Sequence, residues 1–67
     1  MTDYERYKQL LEDFNVEYTE HDYPLAGEIK EIRLEAGYKN VRGYSNFISE
    51  AWFDKEGKFT SFGIWEN

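Results

Sequence analysis

The 67-residue chain contains no cysteine, a single proline and a single histidine. Without cysteine, neither a disulfide nor a thiolate metal site can hold the fold together, and no thiol nucleophile is present. Basic residues are also few: eight Lys and Arg stand against 14 Asp and Glu, which gives a net charge of −6. A nucleic-acid-binding surface normally needs the opposite field, so we expect no direct nucleic-acid binding.

Long apolar runs are missing as well. No stretch approaches the roughly 20 apolar residues of a membrane-spanning helix, and the opening MTDYERYK lacks the apolar segment of a signal peptide. We therefore expect no membrane partner and one cytoplasmic domain, residues 1–67. A chain of this length buries only about 60% of the surface that its unfolded form exposes, so its core is marginal. Aromatic residues, 19% of the chain, are the compensation.

The clearest pattern is the alternating, aromatic-rich segment 47–65, FISEAWFDKEGKFTSFGIW. It predicts a β-hairpin that turns at Asp54-Lys55-Glu56-Gly57, where Gly57 supplies the positive φ of a three-residue loop. Such a turn places Phe53 opposite Phe59 and Trp52 opposite Thr60. Gly63 then lies opposite Ser49, where a helix could approach closely.

This register predicts a hairpin that is apolar on both faces. One face carries Phe47, Phe53, Phe59 and Trp65, and the other carries Ile48, Trp52, Phe62 and Ile64. An antiparallel sheet usually presents one polar face to water. Either the chain covers both faces itself, or the second face, Ile48 with Trp52, Phe62 and Ile64, is a dimer or partner interface.

The first half of the chain predicts a helix over about residues 3–14. Thr2 and Glu5 have the spacing of a capping box, and Asn15 is a plausible left-handed stop. Residues 16–22 suggest a short acidic edge strand, and residues 23–27 a turn.

Residues 28–36 fit either a helix or a strand. We favour a strand, with 41–44 returning as its partner, because an isolated hairpin would be unstable. The predicted fold class is α+β: one N-terminal helix packed on an antiparallel β-meander of three to four strands.

No pattern in the sequence indicates catalysis, a cofactor or a metal. Glu20-His21-Asp22 has metal-ligating residue types, but on a strand Glu20 and Asp22 share a side while His21 points away. Glu50, placed opposite Phe62, could have a raised pKa, although such a residue more often pairs with Lys or Arg. We expect a non-enzymatic protein.

The closing pattern, GYSNF followed by FDKEGKFTSFGIWE, resembles the ending of small uncharacterised accessory proteins of bacteriophages and prophages of Gram-positive bacteria. The resemblance covers residues 43–66. It implies a phage accessory protein, and small acidic proteins of this kind often bind and block host defence components.

Two functions follow as hypotheses. The first is a protein, acting as a homodimer, that binds and inhibits a host protein, its acid excess complementing a basic surface. The alternative is a sponge-like protein that sequesters a nucleotide-type signal, with Arg42, Tyr44 and Trp52 as the ligand-binding residues.

Overall fold

The computed structural model describes residues 1–37 and 46–66. In them, one N-terminal helix precedes a four-stranded antiparallel sheet whose strands lie side by side in chain order. This confirms the predicted α+β class. The elements are helix α1 (Asp3–Asp13) and strands β1 (Thr19–Tyr23), β2 (Ile29–Gly37), β3 (Asn46–Phe53) and β4 (Phe59–Glu66), with a 3₁₀ turn at Pro24–Ala26 between β1 and β2.

Helix α1 begins with the predicted capping box. The Oγ1 atom of Thr2 accepts a hydrogen bond from the Glu5 amide at 3.1 Å, and the Glu5 carboxylate accepts one from the Thr2 amide at 2.9 Å. These contacts satisfy amide groups that have no partner within the helix. The chain leaves the helix through Asn15, whose φ of 58° is the predicted left-handed stop.

The ambiguous segment 28–36 is a strand, as we predicted. As β2 it lies between β1 and β3, with Ile32 opposite Ala51 and Leu34 opposite Ser49. The expected partner, 41–44, lies outside the described residues. The predicted edge strand is confirmed, although β1 begins at Thr19 and not at residue 16.

The hairpin turn is correct but the register beyond it is wrong by one residue. Phe53 pairs with Phe59, and Gly57 has a φ of 83°, as expected. Trp52, however, pairs with Ser61, because a bulge inserts Thr60 as an extra residue of β4. The Thr60 hydroxyl donates a hydrogen bond to the Trp52 carbonyl at 3.0 Å, which gives the extra residue a partner.

Beyond the bulge, each residue of β4 lies on the face opposite to the one predicted. Phe62 now pairs with Ala51 and Ile64 with Ser49, so both lie on the face that carries α1. Gly63 pairs with Glu50, and the close helix approach predicted there is wrong. The predicted face of Ile48, Trp52, Phe62 and Ile64 is therefore divided between the two sides of the sheet.

The core lies between α1 and the two central strands. Its buried members are Tyr4, Leu11, Ile32, Ala51 and Phe53. The rings of Tyr4 and Phe53 meet edge to face, with centroids 5.2 Å apart, an arrangement that aromatic quadrupoles favour.

Candidate protein-binding surface

An apolar surface remains open between the helix and the last strand. We call it the α1/β4 surface; it consists of Leu10 on α1 and of Phe59, Phe62 and Ile64 on β4, all of them exposed. Phe62 and Ile64 retain 52% and 59% of their accessible area although they lie on the face that carries the core. At the Phe59 end the surface deepens into a cleft of about 450 Å³, lined by Asp3, Arg6, Tyr7, Leu10, Phe53 and Phe59.

The surface is open because of the way α1 is anchored. At its first turn, the Tyr4 amide donates to the Gly57 carbonyl at 2.9 Å, and the Asp3 carboxylate accepts from the Phe59 amide at 3.0 Å. Further along, the Tyr4 hydroxyl and the Lys8 ammonium both contact the Glu20 carboxylate, at 2.5 Å and 3.1 Å. Because Glu20 lies on β1, these contacts hold the helix towards that side of the sheet and leave much of β4 uncovered.

The hairpin turn takes part in this anchoring. A Cβ atom on Gly57 would lie 2.7 Å from the Cβ of Thr2, so the turn and the helix cap meet where only glycine fits. The Asp54 carboxylate accepts from the amides of Glu56 and Lys58, both at 2.9 Å, and so stabilises the turn against which the cap packs.

The opposite face of the sheet carries a buried polar network. Glu31 has no accessible surface; its carboxylate accepts from the Tyr23 hydroxyl at 2.7 Å and from the Arg33 Nε at 3.0 Å. Arg33 also contacts the Glu50 carboxylate at 3.1 Å. The Trp52 ring lies against Tyr23, with centroids 5.4 Å apart, and Glu31 is opposite Trp52 in the register. Glu31 therefore combines full burial with satisfied hydrogen bonds.

The pKa values of the two carboxyl groups in this network are shifted in opposite directions. Hydrogen bonding to Glu31, together with burial, raises the pKa of Glu50. Burial alone would raise the pKa of Glu31 too, but its hydrogen bonds from Glu50, Arg33 and Tyr23 outweigh burial and lower it. The two pKa values are therefore separated by the contact between the two carboxyl groups and by their shared partner Arg33. Both sequence expectations for Glu50 thus apply: it pairs with an arginine, Arg33, and its pKa is raised, with Glu31 and not Phe62 as the main cause.

The predicted site residues do not come together. Ile48 and Trp52 lie on the face of the polar network, whereas Phe62 and Ile64 belong to the α1/β4 surface. Arg42 and Tyr44, predicted to bind a nucleotide with Trp52, lie outside the described residues. The nucleotide hypothesis stays a prediction.

The Glu20-His21-Asp22 segment divides between the faces of β1, as strand geometry predicted. Glu20 is held by Tyr4 and Lys8, while His21 contacts the Thr19 hydroxyl at 3.0 Å. Among residues 1–37 and 46–66, no three His, Cys, Asp or Glu side chains are grouped to hold a metal ion. No helix in that part of the chain is long and apolar enough to cross a membrane.

Sequence reasoning missed both the open α1/β4 surface and the polar network. The network had a usable signal: Glu31, Arg33 and Glu35 alternate along one side of a strand, where β-sheet neighbours pair opposite charges. The surface had none, because its position depends on the bulge at Thr60 and on the placement of α1.

We compared the chain with family models, curated proteins and solved structures, and none of them matches it.

Proposed function

We propose that this chain is a non-enzymatic protein of the phage-accessory type that binds and inhibits a host protein, acts as a homodimer in the host cytoplasm, and uses the α1/β4 surface for binding. The observation that carries this proposal is the exposure of Phe62 and Ile64 on the core side of the sheet. A small chain with a marginal core gains by burying such side chains. Leaving them open favours a role for them outside the fold.

The shape and composition of the surface support a protein as the partner. Its cleft, of about 450 Å³, is lined by four apolar or aromatic side chains, Tyr7, Leu10, Phe53 and Phe59, and by two charged ones, Asp3 and Arg6. An apolar centre with a polar rim is the usual composition of a protein interface, and aromatic anchors contribute most of the binding energy there.

The charge of the chain indicates what surrounds the apolar contact on the partner. Fourteen acidic residues against eight basic ones give a negative field, which accelerates the approach of a basic surface and disfavours an acidic one. A host protein with an apolar projection among Lys and Arg side chains fits both features. Covering a basic nucleic-acid-binding site would be one way to inhibit such a protein.

The test uses a matched pair of leucine substitutions. Leu10→Lys places a charge in the cleft at a half-exposed position, and Leu25→Lys makes the same change at a fully exposed position in the turn between β1 and β2. Tagged wild type and both variants, checked for folding by circular dichroism, are incubated with lysate of a Gram-positive bacterium at low salt. The protein captured by the wild type is then identified and assayed with each variant.

We expect Leu10→Lys to weaken capture by at least about tenfold and to abolish inhibition of the captured protein, because a buried hot-spot side chain typically contributes more than 1.4 kcal/mol. Leu25→Lys should behave like the wild type. Equal capture by Leu10→Lys and the wild type would show that binding does not use this surface. A captured protein whose activity is unchanged would refute inhibition.

A further inference from the structure

The two outer strands of the sheet differ in how they are protected. Among the described residues, β1 and β4 each have a neighbouring strand on one side only. Strand β1 is short and carries Glu20 and Asp22, and charged side chains discourage edge-to-edge pairing. Residues 59–64 of β4 carry no charge and include three exposed apolar side chains. The β4 edge therefore lacks the charge protection that β1 has.

We propose that β4 pairs antiparallel with β4 of a second copy of this chain, forming a continuous eight-stranded sheet. The inference rests on the proposed function, because it says that a second copy of the chain supplies the other half of the α1/β4 binding surface. An antiparallel pair of identical strands has two-fold symmetry, the arrangement of most homodimers. It also satisfies backbone groups that a free edge leaves to water.

The position of the acidic residues indicates which edge of the sheet a second copy would pair with. The negative excess lies in residues 12–35, where eight acidic residues stand against Lys30 and Arg33. These residues form the end of α1, strand β1 and most of β2, and the strand order puts β1 and β4 at opposite edges. Two identical acidic molecules repel each other least when their β4 edges meet, because residues 59–64 carry no charge and Glu66 is the one acidic residue of the strand.

The free length of the edge sets the register. Asp3 already accepts the Phe59 amide hydrogen bond, so the edge that is open among residues 1–37 and 46–66 runs from Thr60 to Glu66, with Gly63 at its centre. Pairing about Gly63 puts Phe62 opposite Ile64 of the second copy, and the reverse, on the face that carries α1. Aromatic and β-branched side chains are a favourable cross-strand pair.

The binding surface is incomplete without this pairing. In one copy the row of Phe62 and Ile64 ends at the free edge of β4. In the pair, two such rows form one apolar floor, and the two α1 helices stand on either side of it. A groove between two helices above a sheet is suited to an extended or helical segment of a partner protein.

The first experiment measures mass by sedimentation equilibrium from micromolar to millimolar concentration. We expect the wild type to reach twice the 8.1 kDa chain mass. Ile64→Lys should raise the dissociation constant at least about tenfold, since it places a charge beside the two-fold axis. Leu25→Lys, at the other edge, should dimerise like the wild type. A wild type that stays monomeric at about 1 mM, or an Ile64→Lys dimer as stable as the wild type, would overturn the proposal.

A second experiment tests the register and does not depend on how well Ile64→Lys folds. The chain contains no cysteine, and Gly63 does not have a positive φ, so Gly63→Cys introduces one thiol into extended backbone. Under mild oxidation we expect it to form a covalent dimer. Ser61→Cys is the control, because its two copies would be displaced by roughly 13 Å along the strands, too far for a disulfide. Ser61→Cys cross-linking as readily as Gly63→Cys would overturn the register.

The two proposals fail in different ways. A monomeric wild type that still loses its partner on Leu10→Lys substitution would overturn the dimer and leave the binding function in place. A dimer with the expected cross-link, whose Leu10→Lys variant captures the partner like the wild type, would overturn the binding function alone.

Discussion

Replacing Glu31 by Gln tests whether the buried network on the far face of the sheet stabilises the fold. The substitution keeps the size of the side chain and removes its charge. The Glu31 carboxylate now accepts from Tyr23 at 2.7 Å and from two nitrogen atoms of Arg33 at 3.0 and 3.3 Å. A glutamine can still accept from Tyr23, but it cannot accept both Arg33 contacts, because one of its terminal atoms is an N–H donor.

The expected loss follows from these contacts. Removing one partner of a buried ion pair costs about 3–5 kcal/mol when the other charge is left unpaired. The Arg33 side chain is 27% exposed and keeps Glu50 at 3.1 Å, so its charge is not left unpaired and the cost is smaller. We expect a loss of about 2 kcal/mol, which is large for a chain of this size, whose stability is about 3–10 kcal/mol in total. The midpoint of thermal unfolding should fall by about 8–16 °C.

Urea unfolding at pH 7, followed by tryptophan fluorescence, measures this difference. The matched control is Glu35→Gln, which changes another Arg33 contact, at 3.6 Å, through a side chain that is 63% exposed. Exposed pairs contribute little, so the control should lose less than about 0.5 kcal/mol. If the two variants lost the same free energy of unfolding, the network would be no more than a set of surface ion pairs, and the reasoning would be refuted.

Two further predictions concern Glu50 and the hairpin turn. Because the folded pKa of Glu50 is raised, its contribution to stability is present below the ordinary carboxyl value of 4.5 and is lost as pH rises through the folded pKa. The stability of the wild type relative to Glu50→Gln should therefore fall over this range. Urea midpoints of the two proteins that stay parallel from about pH 4 to pH 8 would contradict this. Gly57→Ala should destabilise the fold by about 1–2 kcal/mol because of its positive φ, and by more because the new Cβ would meet Thr2. The control is Gly27→Ala, at a φ of 86° with no atom within 4 Å, which should show the backbone cost alone. Equal losses of stability in thermal or urea unfolding would exclude a cost from the Thr2 contact.

Local patterns predicted the elements of the fold because short-range chemistry determines them. The capping box at Thr2, the left-handed residue at Asn15 and the positive φ at Gly57 each depend on a few neighbouring residues. The choice of a strand for β2 used one long-range argument, that an isolated hairpin needs further strands, and that argument was correct.

The composition of the faces could not be predicted in the same way, because a one-residue slip in register reverses every later side chain. The turn at Asp54–Gly57 predicts the pairing of Phe53 with Phe59 but gives no sign of the bulge that follows. The hydrogen bond from the Thr60 hydroxyl to the Trp52 carbonyl stabilises that bulge. Threonine is also common in regular strands, so its presence does not predict a bulge. Phe62 and Ile64 were therefore assigned to the wrong face.

The acidic edge and the apolar edge of the sheet are connected through the helix. Glu20 on β1 receives the Tyr4 hydroxyl and the Lys8 ammonium, and these contacts lower its pKa. The same contacts hold α1 against the two central strands, where Tyr4 and Leu11 pack with Ile32, Ala51 and Phe53. A single 11-residue helix cannot cover four strands, so anchoring it on the acidic side leaves the apolar side chains of β4 open. The acidic residues that protect the β1 edge thus also leave the apolar side chains of β4 exposed, which is where we propose that a second copy pairs.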